Sequence, residues 1–181
     1  MALYFITGNK NKLAEIQAMI SNVEQLELDL PELQEIDAHE IIKAKLQEAR
    51  KHHDGEFIVE DTSLYFEGLN GLPGPLIKWF LQSLGHDGLT DLTNKIGNTK
   101  ATAKTIIGYS KNNDSIEFFE GAVEGKIVSS RGEVRFGWDS IFLPDGHEKT
   151  YAEMLPEEKN SMSHRHKAVT KLSQHILSKQ N

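Results

Sequence analysis

The apolar run Leu3-Tyr4-Phe5-Ile6 passes directly into Thr7-Gly8-Asn9-Lys10-Asn11-Lys12, and then into a segment with Leu13, Ile16, Met19 and Ile20 at helical spacing. A strand that turns into an amphipathic helix over so few residues opens a βα order. The junction also has a chemical reading. A small-residue turn at a strand-to-helix junction points backbone N–H groups and the positive helix end at one spot, and two lysines within a turn add full charges there. That describes a seat for an anion such as a phosphate. It equally describes an ordinary loop capped by Asn9 or Asn11. The motif matches neither G-x-x-x-x-G-K-[ST] nor G-x-G-x-x-G, so it is neither a P-loop nor a dinucleotide fingerprint.

The rest of the chain continues the alternation. Val23, Leu26, Leu28 and Leu30 give a strand pattern ending at Pro31. Asp37, with Glu40 three residues later, resembles a capping box for a helix lined by Ile41, Ile42, Leu46 and Ala49. Phe57-Ile58-Val59 reads as a short buried strand ending on Glu60-Asp61-Thr62, and the turn-rich stretch Gly68 to Pro75 should launch a helix through Ile77, Phe80, Leu81 and Leu84. A further short helix is expected near Asp87 to Lys95. Ala101 to Tyr109 and Ile116 to Phe119 read as strands joined at Lys111-Asn112-Asn113-Asp114. Glu120 to Val128 and Ser140 to Leu143 read as two more strands. Ser163 to Leu177 reads as a closing helix with Ala168, Leu172 and Leu177 facing inward. The order predicts an α/β chain with a mixed sheet.

The 181 residues suffice for one domain, 1–181, that buries roughly 70% of the surface of its unfolded chain. The chain has no cysteine, which removes disulfides, thiolate metal sites and a cysteine nucleophile together. No apolar stretch approaches the roughly 20 residues that span a bilayer, and the N-terminal run lacks the features of a secretory leader. The expectation is a soluble, cytoplasmic protein. A formal net charge of −7 argues against binding a nucleic-acid backbone, although a small polyanion remains compatible with a few converging lysines and arginines.

Three places concentrate chemistry. Glu32 and the pair Glu60-Asp61 lie near expected strand ends, and adjacent residues of a strand point to opposite faces, so at most one of Glu60 and Asp61 faces a given cleft. Carboxylates without cysteine or clustered histidine favour a hard cation such as Mg²⁺ completed by substrate phosphates; the alternative is a cap and solvated charge. Phe136-Gly137-Trp138-Asp139, after Arg131 to Arg135, sets two aromatics, a glycine and a carboxylate in one turn, suited either to stacking a base or to packing over a sheet edge. Lys159 to Lys167 gathers polar donors around a helix start at Ser163, where His164 and Arg165 incur a dipole cost of up to about 1 kcal/mol unless an anion is near. A solvated basic patch is the other reading. Lys45 and Lys78, each alone, read as exposed lysines, and His52, His53 and His86 have no partner at metal-binding spacing and receive no role.

Taken together and in this order, Thr7-Gly8-Asn9 with Lys12, Glu60-Asp61-Thr62 with Gly71-Leu72-Pro73-Gly74-Pro75, Phe136-Gly137-Trp138-Asp139 and Ser163-His164-Arg165 resemble the inosine triphosphate pyrophosphatase family, the Ham1-like noncanonical purine nucleoside triphosphatases. Ile77-Lys78-Trp79-Phe80 and Tyr151-Ala152-Glu153-Met154 resemble its archaeal and eukaryotic branch. The resemblance implies an elongated α/β fold with a long, curved mixed sheet and flanking helices forming two lobes around a central cleft. It implies Mg²⁺-dependent hydrolysis, with Mn²⁺ as a substitute, of ITP, dITP and XTP to the monophosphate and pyrophosphate by a cytoplasmic homodimer. By position it places Thr7, Gly8, Asn9 and Lys12 on the triphosphate, with Lys45, Thr62 and Lys78 as further nucleotide contacts. Glu32 and Asp61 would hold the metal, with Asp61 and Lys12 catalytic. Phe136, Gly137, Trp138, Asp139, Lys159, His164 and Arg165 would form the base end. Donors of the Ser163-His164-Arg165 turn facing a 6-oxo group would disfavour the 6-amino group of adenine. Competing readings are a nucleotide sensor without turnover and a related hydrolase of modified pyrimidine or septum-linked nucleotides.

Overall fold

The computed structural model describes residues 2–30, 32–111, 115–134 and 137–179. Among the described residues seven strands and five α-helices follow in the order β1 (Leu3–Ile6), α1 (Lys10–Gln17), β2 (Val23–Leu26), α2 (Ala38–His52), β3 (Glu56–Phe66), β4 (Pro73–Gly74), α3 (Ile77–Ile96), β5 (Lys100–Ser110), β6 (Glu117–Ile127), β7 (Phe142–Pro144), α4 (Pro156–Met162) and α5 (His164–Ser178). Hydrogen-bonded neighbours run β2-β1-β3-β5-β6-β7, with β4 paired to β3. β1 lies parallel to both β2 and β3, whereas β3 with β4 and β6 with β7 are antiparallel. The sheet is therefore mixed, as the element order predicts.

The chain divides into two compact units, one of Met1–Asp61, Thr105–Gly121 and Arg165–Asn181, the other of Thr62–Lys104 and Ala122–His164. In the first unit the two faces of β1 and β3 bury different helices. Leu3, Phe5 and Ile58 pack with Ile16 of α1 and Ala168, Val169 and Leu172 of α5, while Ile6, Phe57 and Val59 pack with Ala38, Ile42, Leu46 and Ala49 of α2. The close seat of α2 requires Gly108 on β5, because a Cβ there would stand 2.2 Å from Ile42 Cγ2. In the second unit Leu64, Phe66, Leu89, Ala101, Val123, Trp138, Phe142 and Tyr151 form a separate core.

Several local expectations are corrected. β2 stops at Leu26, short of Leu28 and Leu30. β3 continues through Glu60-Asp61-Thr62 to Phe66, because Ser63, Leu64 and Phe66 bury and prolong the apolar run. β6 is one strand where two were expected; the polar pair Glu120-Gly121 interrupts the hydrophobic pattern but not the ladder. Asp37 caps α2 by accepting from the His39 amide at 2.9 Å, but the reciprocal half of a capping box is absent. Glu35 accepts from the Asp37 amide, and Glu40 pairs with Lys43. α3 joins the two expected helices through a break at Gly85, whose φ of 67° and ψ of −178° lie outside the helical region. Helix α4 was not anticipated, and Ser163 closes it immediately before α5 begins. Ala168 and Leu172 are fully buried as expected, but Leu177 is 60% exposed. The expected turn residues Asn112, Asn113 and Asp114 lie outside the described residues, as do Pro31, Arg135 and Phe136.

Candidate active site

In the first unit the chemistry gathers around β3. Alternation along that strand continues Ile58 into Glu60, on the side of α1 and α5, and continues Phe57 and Val59 into Asp61, on the side of α2. The adjacent carboxylates thus meet different partners. Glu60 is buried and accepts a two-pronged pair from Arg165, Nε and Nη2 each at 2.9 Å, while Lys12 Nζ approaches Oε1 at 2.8 Å. Arg165 Nη1 also donates to Glu15 at 2.5 Å. Burial by itself would raise the Glu60 carboxyl, but the Arg165 and Lys12 charges outweigh it and hold the group well below the usual carboxylate range. Burial likewise disfavours the Arg165 cation, and Glu60 and Glu15 more than restore it. The dipole cost expected for a cation in the first turn of α5 is answered by these two carboxylates.

The Thr7-Gly8-Asn9 turn joins β1 to α1. Asn9 is the cap: its Oδ1 accepts from the amides of Asn11 at 3.0 Å and Lys12 at 3.2 Å, and its own amide donates to Thr7 Oγ1 at 3.0 Å. The cap consumes two of the amides that the anion-seat reading offered to a phosphate. Space beside Gly8 is open, with nothing within 4 Å of a notional Cβ. Lys12 turns inward to Glu60, whereas Lys10 is exposed.

On the opposite side of β3, Lys45 extends from α2 and is half-buried, not exposed as expected, because it lies on the helix side that packs against the sheet. Burial lowers its pKa from the ordinary lysine value, and the charge of Asp61 opposes that shift; Lys12, Glu32 and Glu60 act on it more weakly. Asp61 and Glu32 therefore share one lysine ammonium as an electrostatic neighbour. Glu32 itself is exposed. Among the described residues no group of three or more histidines, aspartates and glutamates is preassembled to hold a metal. An all-oxygen pair from Asp61 and Glu32 fits Mg²⁺, which keeps waters and takes substrate phosphates to complete its shell.

The second unit holds the aromatic turn. Trp138 is only 7% exposed, and its ring lies 5.5 Å from both Phe142 and His164 and 6.3 Å from Tyr151, centroid to centroid. The sequence offered this ring either for base stacking or for packing over a sheet edge, and in the structure it packs within the core of the second unit. Asp139 receives Lys159 Nζ at 2.5 Å, and that ammonium also lies 5.3 Å from the centre of the Tyr151 ring. His164 stacks on Tyr151 at 5.7 Å, with Nδ1 3.4 Å from the phenol oxygen. Gly137 is exposed with φ at 47°. Thr62 follows Asp61 on β3 and is half-buried; Lys78 is exposed in the first turn of α3, 5.1 Å from the centre of the Trp79 ring.

The structure thus brings Lys12, Lys45, Asp61 and Arg165 into one unit and Trp138, Asp139, Lys159 and His164 into the other. Sequence reasoning missed Glu15, Tyr151 and the pairing of Glu60. Glu15 carries a faint signal, since it lies three residues beyond Lys12 and so on the same helix face.

A family model described as "Ham1 family" matches residues 3–175. The inosine triphosphate pyrophosphatase of Puccinia graminis f. sp. tritici is 44% identical over 187 residues, covering 97% of each chain, and that of Schizosaccharomyces pombe is 41% identical over 184 residues, covering 99% of this chain and 97% of that one. Among solved structures, a HAM1 protein from Coxiella burnetii superposes with a TM-score of 0.85 at 24% identity, covering 97% of this chain and 98% of the other. A nucleoside-triphosphatase, dITP/XTP pyrophosphatase, from Mycobacterium abscessus superposes with a TM-score of 0.73 at 27% identity, covering 95% and 98%.

Proposed function

The chain belongs to the Ham1 family, and we propose that it hydrolyses noncanonical purine nucleoside triphosphates (ITP, dITP and XTP) to the monophosphate and pyrophosphate. The observation that carries the mechanism is the division of labour on β3. Glu60 has both oxygens engaged by cations and is poorly placed to accept a further proton, while its neighbour Asp61 faces the Lys45 side. Asp61 is thereby the base that orients or deprotonates the attacking water. Lys12 has three N–H donors and directs one at Glu60, which aims the ammonium; the others serve the departing pyrophosphate. Thr7, Gly8 and Asn9 line the triphosphate end, with Lys45, Thr62 and Lys78 as additional contacts.

Mg²⁺, or Mn²⁺ in its place, would be held by Asp61 and Glu32, and when bound it neutralises charge on the phosphate oxygens. Cleavage between the α- and β-phosphates otherwise demands an aimed water and cations on the leaving group, and Asp61, Lys12 and Lys45 meet those demands. The base end is assigned to Phe136, Gly137, Asp139, Lys159, His164 and Arg165. Phe136 and Trp138 are the aromatics assigned to the base, and the packing of the Trp138 ring against Phe142 and His164 fixes its part of the turn. A 6-oxo purine accepts from donors of the Ser163-His164-Arg165 turn where a 6-amino purine cannot.

Residues 1–181 act as a single catalytic domain, and the protein works as a cytoplasmic homodimer on free nucleotides rather than nucleic acid, in keeping with its net charge of −7. No helix among the described residues is long and apolar enough to cross a membrane. A panel of nucleoside triphosphates with Mg²⁺, scored for pyrophosphate against orthophosphate, tests the reading. Pyrophosphate released from ITP, dITP and XTP in preference to ATP supports it. Orthophosphate release, or binding without turnover, overturns it.

A further inference from the structure

His86 has no role by sequence spacing, yet its Nε2 lies 2.8 Å from the carbonyl oxygen of Gly137, fifty-one residues away. A carbonyl only accepts, so His86 is the donor and carries its proton on Nε2. The histidine is firmly mounted. It follows the break at Gly85 and begins the second half of α3, where Leu89, Thr90 and Thr93 are buried. The Thr90 hydroxyl bonds the His86 carbonyl at 3.0 Å and the Val128 carbonyl at 3.1 Å.

The receiving loop is closed at its neck, where the Arg131 amide donates to the Ser140 carbonyl at 2.9 Å. Gly132 is pressed against Ala152, with a notional Cβ 2.8 Å from its backbone. On the return side Trp138 and Asp139 are locked by the aromatic core and by Lys159. Gly137 precedes these anchors in the left-handed region at φ 47°, and among the described residues nothing beyond its chain neighbours lies within 4 Å of a notional Cβ on it. The His86 hydrogen bond reaches its carbonyl from outside the loop.

We propose that His86 is a positioning residue for purine recognition: by holding the Gly137 carbonyl it fixes the Gly137-Trp138-Asp139 backbone at the base end. The proposal rests on the assignment of that turn to the base end. His86 touches neither phosphate nor metal ligand in this scheme, so it governs binding of the purine and not the chemical step.

The test compares His86→Ala and His86→Gln, both in a Trp79→Phe background. The chain has two tryptophans, so fluorescence then reports Trp138 alone. Acrylamide quenching without nucleotide reads the turn, and KM and kcat for ITP with Mg²⁺ read its consequence. The expected result for His86→Ala is raised quenching and a KM about three- to tenfold higher, the range a single neutral hydrogen bond supports. kcat stays within about twofold and the Tm is unchanged. Gln reaches the same carbonyl with an N–H and restores both readouts, which a loss of packing alone would not allow. Unchanged quenching and unchanged KM in His86→Ala overturn the proposal. Raised quenching with unchanged KM overturns the base-end assignment and the role in recognition with it. A parent protein that fails to hydrolyse ITP at all refutes the proposed function, while quenching still scores the contact.

Discussion

Replacing Glu60 by Gln isolates the buried cation cluster of the first unit. The Glu60 and Arg165 side chains are 1% and 2% exposed, and the carboxylate accepts three charge-assisted bonds, two from Arg165 at 2.9 Å and one from Lys12 at 2.8 Å. The amide introduced by Glu60→Gln would keep one carbonyl acceptor but lose the charge, depriving a buried guanidinium of its two-pronged carboxylate while Glu15 stays in contact. Removing one partner of a buried pair costs about 3–5 kcal/mol, because the other charge stays desolvated. Glu15 and the surviving acceptor place this case near the lower end. About 3 kcal/mol is a factor of about 150 in the folding equilibrium, out of a total stability of about 5–15 kcal/mol. Urea unfolding at pH 7, followed by circular dichroism and tryptophan fluorescence with coincident transitions, should show the midpoint fall with m unchanged.

The pH dependence gives the sharper check. The folded-state pKa of Glu60 is depressed, so its stabilisation is fully present above the ordinary carboxylate value of about 4.5 and is lost as pH falls toward the folded value. The difference between wild type and Glu60→Gln should be flat from pH 6 to 8 and shrink below about 4.5. Glu60→Met combined with Arg165→Met should cost no more than Glu60→Gln alone, since no guanidinium is then left buried without its main partner. A loss under about 1 kcal/mol at pH 7, or a difference that persists unchanged to pH 3, refutes the reasoning.

Three further outcomes are expected. Asp61→Asn should lower kcat for ITP by at least about a hundredfold with Tm preserved; near wild-type kcat at saturating Mg²⁺ removes Asp61 as base. Lys45 loses its charge at a lower pH than an ordinary lysine, so kcat/KM should decline on the alkaline side and Lys45→Arg should extend the plateau upward; identical profiles show that the Lys45 charge is not used. A Cβ at Gly125 would stand 2.4 Å from the Leu143 carbonyl across the β6–β7 ladder, so Gly125→Ala should destabilise by more than about 2 kcal/mol in urea; a change under about 0.5 kcal/mol shows that the ladder yields.

Elements whose signal is local were legible in the sequence. The helix lined by Ile41, Ile42, Leu46 and Ala49 repeats at 3.6 residues and carries its own cap in Asp37, and both features hold in α2. Elements decided by tertiary neighbours were not. Nothing local says that Phe57-Ile58-Val59 continues through two carboxylates to Phe66, because Arg165, from the far end of the chain, makes a buried Glu60 tolerable. From the sequence the Phe136 to Asp139 turn reads as stacking a base or as packing over a sheet edge, and nothing local announces the convergence of Phe142, Tyr151 and His164 around the Trp138 ring. His86 shows the same limit, its partner lying fifty-one residues away.

The sequence left the choice between Glu60 and Asp61 as the base open, and strand parity with charge is what supports proposing Asp61. Two residues one step apart on β3 must face different helices, and the two helix layers carry different cations. The α1 and α5 side supplies Lys12 and a guanidinium that grips both Glu60 oxygens, which lowers the basicity of that carboxylate. A group so held stabilises the fold and aims Lys12 but makes a poor proton acceptor. The α2 side supplies Lys45, whose charge is weakened by burial and sustained by Asp61. In the proposed mechanism the aspartate beside that lysine takes a proton from water and ligates a cation. The predictions separate accordingly: Glu60→Gln should act first on stability, and Asp61→Asn first on turnover. If both variants lost stability equally while turnover in the folded fraction stayed intact, parity would not be the principle that organises this site.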